Sequence, residues 1–399
     1  MKMCKKAGII FAVFLLLLFC SSTKVFAEVS SATSSSASSK TSSENSNEIN
    51  KIYNQQLKNS GADGLGNYLS PEAKKALGVT TPDYNALSNI TFGDIIKIIF
   101  SMTADAGKAP ISSVSAVLAI ILICALAESF KTSLSDSPLS GVMGMVSTVC
   151  VATALIIPIV GTISRATEII TGVSNFMLAY IPIMAALMIS SGQIVSGGSY
   201  YTLMMGAGQA VAQISSKFLV PLLNIFLGLS VTCAISPRIN LNAICDLFYK
   251  VIKWVLGIIM VIFSALLTVQ NILGTAADTA AAKAAKFAIS SAVPVVGSAL
   301  GDALTTVQSC TKLLKSGVGV FAIFGTAFMF LPILLECIIW LLSINICVAA
   351  GELFELKETV ALLKASGKVI NTIIAILICC MVIFIVTTAI VLIIGGAST

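Results

Sequence analysis

The chain has no histidine among its 399 residues, and only 11% of them are charged. The first absence removes the side chain most used for proton transfer near neutral pH and for metal ligation. Histidine-based hydrolases and zinc enzymes are thereby excluded. The second absence excludes an ordinary soluble domain, where roughly 25% of residues carry charge. There are 11 cysteines but no CxxC spacing, and most of those beyond the N-terminal segment (Cys124, Cys150, Cys233, Cys337, Cys347, Cys379, Cys380) lie in apolar runs. Cysteine in such settings acts as a small hydrophobe rather than as a metal or redox ligand. No GxxxxGK[ST], GxSxG, HExxH or paired-carboxylate constellation occurs, so no enzymatic activity and no cofactor are expected. Energy for any transport would come from a partner or an ion gradient. The net charge of +6 comes from dispersed lysines without interleaved aromatics, which gives no nucleic-acid footprint.

What the chain has instead is apolar bulk, at 57% hydrophobic residues, which makes it an integral membrane protein of all-α, polytopic helical-bundle class in contact with membrane lipid. Lys2, Lys5 and Lys6, the apolar run 7–20 and Val25-Phe26-Ala27 fit a signal peptide over residues 1–27. An uncleaved anchor is the alternative, and either puts the residues that follow on the non-cytoplasmic side. Residues 28–50 are dominated by serine, a flexible linker that cannot bury enough apolar area to order itself. Residues 51–109 read as a small helical extracytoplasmic segment, with starts at Ser70-Pro71-Glu72 and at Thr91 with Asp94 three residues on. It packs on the bundle in one reading and binds an outside partner in the other.

Apolar runs follow at 111–127, 141–163, 172–189, 201–235, 251–273, 284–300, 318–350 and 370–394. A bilayer core takes about 20 apolar residues of helix, so the runs of about 35 residues predict hairpins of two short helices, or kinked or re-entrant helices. Residues 110–164 supply the first two spans. Two stretches about 110 residues apart then read as copies of one plan, repeat 1 over 165–275 and repeat 2 over 276–399. Pro182 and Pro221 stand 39 residues apart in the first, Pro294 and Pro332 stand 38 apart in the second, and Lys-Val-Ile recurs at 250–252 and 368–370. Prolines inside spans mark kinks or breaks where permeation paths or interaction surfaces lie. Pro182, Pro221, Pro294 and Pro332 are therefore candidate path-lining positions. Whether the repeats are parallel or inverted stays open: if the loops bearing Arg238, Lys250 and Lys253 and bearing Lys357, Lys364 and Lys368 are both cytoplasmic, they are parallel.

Glu336, with four apolar or proline positions before it and Cys337-Ile338-Ile339-Trp340 after it, is the leading intramembrane ionisable residue. It is a pore or proton-relay carboxylate in one reading and a carboxylate at an interfacial bend in the other. Glu128, Arg165, Glu168, Lys217, Asp246, Asp278 and Asp302 also lie in or beside apolar runs. Asn175, Asn224, Asn271 and Asn345 are expected to bridge helices. Gly206 and Gly208, and Gly297 with Gly301 in a GxxxG, are candidate helix-packing positions within the bundle or between copies, so a homo-oligomer stays open.

Residues 179–187 (AYIPIMAAL) with 190–196 (SSGQIVS) resemble the stage III sporulation protein AE family. So do Ala285-Lys286-Phe287, Val293-Pro294-Val295-Val296-Gly297, Asp302-Ala303, Leu313-Leu314-Lys315 and Gly317-Val318-Gly319. The resemblance covers nearly the whole chain apart from the Ser-rich linker. It implies a multi-pass subunit of a channel or secretion-like complex in the mother-cell membrane around the forespore, required for forespore development after engulfment. It implies as partners other stage III sporulation membrane proteins, including a secretion-type ATPase and a forespore channel protein. The residues alone equally allow an autonomous secondary transporter or permease for a small solute, or a passive scaffold with no path through it.

Overall fold

The computed structural model describes residue 53 and residues 55–79, 81–82, 92–132, 139–235, 242–292 and 297–394, in part by backbone only, as at 127–144 and 285–310. The segments 1–27 and 28–50, Thr91 and Pro294 lie outside the described residues. The protein is all-α: no strand occurs among the described residues. A 3₁₀ turn (Ala62–Tyr68) and α1 (Pro71–Leu77) precede α2 (Phe92–Ala106) and α3 (Lys108–Thr132). There follow α4 (Leu139–Ser190), α5 (Ile194–Ile214), a π-helical turn (Ser215–Leu219), α6 (Val220–Ile235), α7 (Asn242–Ala292), α8 (Gly297–Leu353) and α9 (Lys357–Ile394).

The start at Ser70 is built as its sequence demands. Its Oγ accepts from Ala73 N–H at 3.2 Å, Pro71 takes the first helical position, and Gly78 ends the helix in the left-handed region. This N-terminal unit buries Leu65, Leu69, Ala73 and Leu77. It packs on the bundle through Leu69, whose side chain occupies the space a Cβ on Gly325 of α8 would need.

Contacts between named residues give the course of the bundle. Thr162 and Arg165 of α4 meet Glu336 of α8, and Gly172 faces Met329, so the two helices are antiparallel. On α9, Val360 abuts Gly351, Ile344 lies at Gly367 and Leu392 lies at Gly319, which makes α8 and α9 antiparallel along nearly their whole length. Ser174 bonds Gln209 across the α4–α5 hairpin. Ser147 with Thr359, and Lys368 with Asp246, bring the starts of α4, α7 and α9 to one end. The connection between α8 and α9 lies at that end, and the α4–α5 turn lies at the other. The line of α5 and α6, which carries Pro221, thus runs in the same sense as α8, which carries Pro332, and the lysines 250, 253, 357, 364 and 368 belong to one half of the molecule.

Among the described residues six helical stretches are long and apolar enough to cross a membrane, and the chain is a multi-pass membrane protein. They divide into core and rim. Protein buries 78% of the apolar stretch of α8 and 67% of that of α9, but 22% of that of α7 and 28% of that of α3, so the rest of the chain leaves the latter two largely uncovered.

The long runs are not hairpins. Residues 318–350 lie inside the single 57-residue helix α8, and 201–235 form the continuous line of α5, the π turn and α6. Runs 141–163 and 172–189 fuse into the 52-residue α4. The polar stretch between them carries no turn chemistry: Thr167 and Thr171 return their hydroxyls to backbone carbonyls four residues back, which suits a helix in apolar surroundings. Run 284–300 is divided between the end of α7, residues 293–296, which lie outside the described residues, and the start of α8.

Candidate functional site

Two charged clusters sit within the bundle, and α8 contributes to both. The first is built on a shared face of α4, where Thr162 and Arg165 stand three residues apart. Arg165 donates to Glu336 through Nε (3.1 Å to Oε2) and through Nη2 to Oε1, a two-pronged carboxylate clamp. Thr162 Oγ1 donates to Glu336 Oε1 at 2.9 Å, with the Pro158 carbonyl also in reach at 3.1 Å, and accepts from Arg165 Nη2 at 3.2 Å. Glu336 is buried, whereas the Arg165 side chain is 47% exposed. A Cβ on Gly107 would touch Ile339, so α3 begins one turn of α8 from Glu336. On this flank the ion pair therefore lies near the edge of the slab that the 19 apolar residues of α3 can cross.

The prolines around this level show how the helices absorb them. Pro332 lies inside α8, four residues before Glu336, and leaves the carbonyl of Phe328 without its usual amide. Pro221 follows the π turn, in which the amide of Val220 reaches back to the carbonyl of Ser215. The wider turn takes up the residue that a proline cannot bond. Ser215 Oγ lies 3.3 Å from Cys380 Sγ, and the α8–α9 register puts Cys380 beside Leu331. The structure thus gathers Pro221, Pro332 and Glu336 at one height. Pro182 is elsewhere, two turns before the end of α4. Beside the ion pair, Ile163, Ala166, Val220, Leu223, Ile373 and Leu377 line an apolar void of ≈10 Å³, room for about one water.

The second cluster lies at the α4–α5 turn. Gly192 adopts φ +90°, a left-handed conformation in which a side chain would be strained, and reverses the chain within three residues. Asp278 of α7 accepts from the amides of Val195 (2.8 Å) and Ser196 (3.1 Å), so a carboxylate from another helix caps α5. Gln193 offers its Oε1 to Lys315 Nζ of α8 at 3.0 Å. Lys315 is 3% exposed, and Asp278 is the negative charge that acts on it.

Sequence reasoning placed Glu336, Arg165 and Asp278 at membrane depth without their partners. It missed Thr162, Gln193 and Lys315; Lys315 has Thr311 and Lys312 shortly before it and Ser316 after it, so it lacks the apolar flanks that picked out Glu336. Of the small residues, Gly208 faces Phe384, while Gly206 has open space where a side chain would go. The packing around Gly297 and Gly301 lies outside the described residues. The tightest approaches are at Gly319 and Gly274, where an added Cβ would lie 2.3 Å from Leu392 and 2.6 Å from Ser196, followed by Gly197, Gly325 and Gly351, each 2.8 Å from a neighbouring side chain. Asn175, Asn224 and Asn345 do not point into the bundle. All three are exposed on its outer surface, and Asn271 lies outside the described side chains.

One relative, stage III sporulation protein AE of Bacillus subtilis (strain 168), is 27% identical over 161 residues. That match spans 40% of this chain and 40% of the relative's length. No solved structure matches. Residues 84–395 match the family described as stage III sporulation protein AE, a stretch that contains α2 to α9 and both charged clusters, and the chain belongs to that family.

Proposed function

We propose that this chain is a multi-pass membrane subunit of a channel or secretion-like complex that links mother cell and forespore during sporulation. Family membership supplies the process, and one observation carries the role of subunit. Asn175, Asn224 and Asn345 lie on the outer surface of membrane-spanning stretches. Side-chain amides facing lipid are costly, and the helices of neighbouring proteins satisfy them at about 0.6–2 kcal/mol each. A self-contained transporter would turn such amides inward. The clamped Arg165–Glu336 pair also fits a structural tie better than a free proton-relay carboxylate.

In this reading the lysine-rich end of the bundle faces the mother-cell cytoplasm, and the N-terminal helices lie in the space between the membranes. Stage III membrane proteins pack against the asparagine-bearing faces, and a secretion-type ATPase supplies energy that nothing in this chain can. The role asks no catalysis of the chain. Tagged protein isolated from sporulating cells in mild detergent is expected to bring other sporulation membrane proteins with it, and the deletion strain is expected to stop developing after engulfment. A solitary protein with normal spores would sink this reading. Solute uptake by the purified protein alone in liposomes would replace it with the permease.

A further inference from the structure

The seam between α5 and α7 holds polar groups that neither charged cluster uses. On α7, Gln270, Gly274 and Asp278 recur every four residues and share one face. On α5, Ser196 and Tyr200 do the same. A Cβ on Gly274 would stand 2.6 Å from Ser196 Oγ, and Asp278 holds the amides of Val195 and Ser196. The antiparallel register then sets Gln270 opposite Tyr200. Ser196 is 1% exposed, Tyr200 0% and Gln270 5%. Both ends of the Gln270 amide and both hydroxyls lack a hydrogen-bond partner among the described residues.

We propose that this seam is an internal water-binding site, in which ordered waters bridge Gln270, Tyr200 and Ser196. A primary amide brings two donors and two acceptors, so its occupant must both give and take hydrogen bonds. A cation is disfavoured by the ammonium of Lys315, buried close enough to Asp278 for their charges to interact. An anion would find the first amides of α5 already taken by Asp278. Water meets both demands, and buried waters settle where several polar groups converge. Tyr180, next to Tyr200 and Thr388, continues the polar groups onto α4 and α9. The site stands whatever complex the chain enters.

The test is brief X-ray radiolysis of the purified full-length protein in detergent, read by mass spectrometry, because radicals form from bound as well as bulk water. Tyr200 is expected to be oxidised at least about fivefold faster than Phe226 and Phe321, equally buried in apolar surroundings, after correction for intrinsic reactivity. Radicals made only in bulk should label none of the three. Equal rates under radiolysis overturn the proposal. Gln270→Leu is expected to slow Tyr200 oxidation about threefold or more by removing the amide that holds the water. An unchanged rate would put the water elsewhere and overturn the assignment. Should that variant fail to accumulate, Gln270→Met, similar in volume and without donors, is read the same way. Replacing sodium with choline, or chloride with phosphate, should leave the rate unchanged, and a change of more than about twofold would mean an ion rather than water.

Discussion

The two charged clusters stand 21 residues apart on α8, about 31 Å of helix, and solve the problem of membrane charge in opposite ways. At Arg165–Glu336 the charges face each other in a closed clamp, and the long arginine side chain keeps a route to the surface. At Lys315 and Asp278 the charges are separated: the carboxylate caps α5 and the ammonium rests on the neutral amide of Gln193. Both residues there are buried, with no arm that reaches the surface. An ion pair with an exit can lose a partner and let the other relax, whereas the inner cluster leaves a stranded charge. The largest effect is therefore expected inside. Asp278→Ala removes the carboxylate whose charge acts on Lys315 together with the cap of α5, and should cost about 3–5 kcal/mol, measured as the free energy of unfolding in mixed micelles. A loss below about 1 kcal/mol would mean that the caps and charges of this cluster do not act as a unit.

Next in size is Glu336→Gln. It leaves Arg165 without its counter-charge but free to swing outward, because it is already half exposed, so about 1–3 kcal/mol is expected. The companion experiment sharpens the contrast. Replacing both partners, Arg165→Met with Glu336→Leu, should recover most of that loss, since a buried ion pair often does no better than a well-packed apolar pair. If the double variant is worse than Glu336→Gln alone, the clamp is a net source of stability and the two clusters are more alike than their geometry implies.

How much of this was legible in the chain depends on which physical signal each part rests on. The membrane class and all-α fold follow from long apolar runs and scarce charge, which single residues cannot mask. The hairpin reading of 201–235 and 318–350 failed because length against one bilayer was taken as the arbiter. These helices run past a single bilayer thickness beside partners nearly as long, and the π turn before Pro221 absorbs the break without reversing the chain. Glu336 could be found from its apolar flanks, but its partner lies 171 residues away, and no local spacing encodes a contact between two helices. Lys315, with Lys312 and Ser316 close by, lacks the apolar flanks of Glu336 and was read only as part of a motif. The asparagines were misplaced because an amide within an apolar run does not say whether its face of the helix turns inward or outward.

The smallest effect belongs to a third pair, Lys368–Asp246, at 3.1 Å on the outer face of α7 and α9. It has the chemistry of the first cluster without its burial, since the two side chains are 46% and 54% exposed. Solvent screens such pairs, and ordering two mobile side chains offsets most of the attraction, so Lys368→Ala should cost no more than about 0.5 kcal/mol. Raising the salt concentration should erase even that difference, while the cost of Asp278→Ala persists, because buried charges are little screened. A large, salt-insensitive loss at Lys368 would mean that this face is covered in the folded protein, and the pair would then belong with Lys315 and Asp278 rather than at the exposed end of the series.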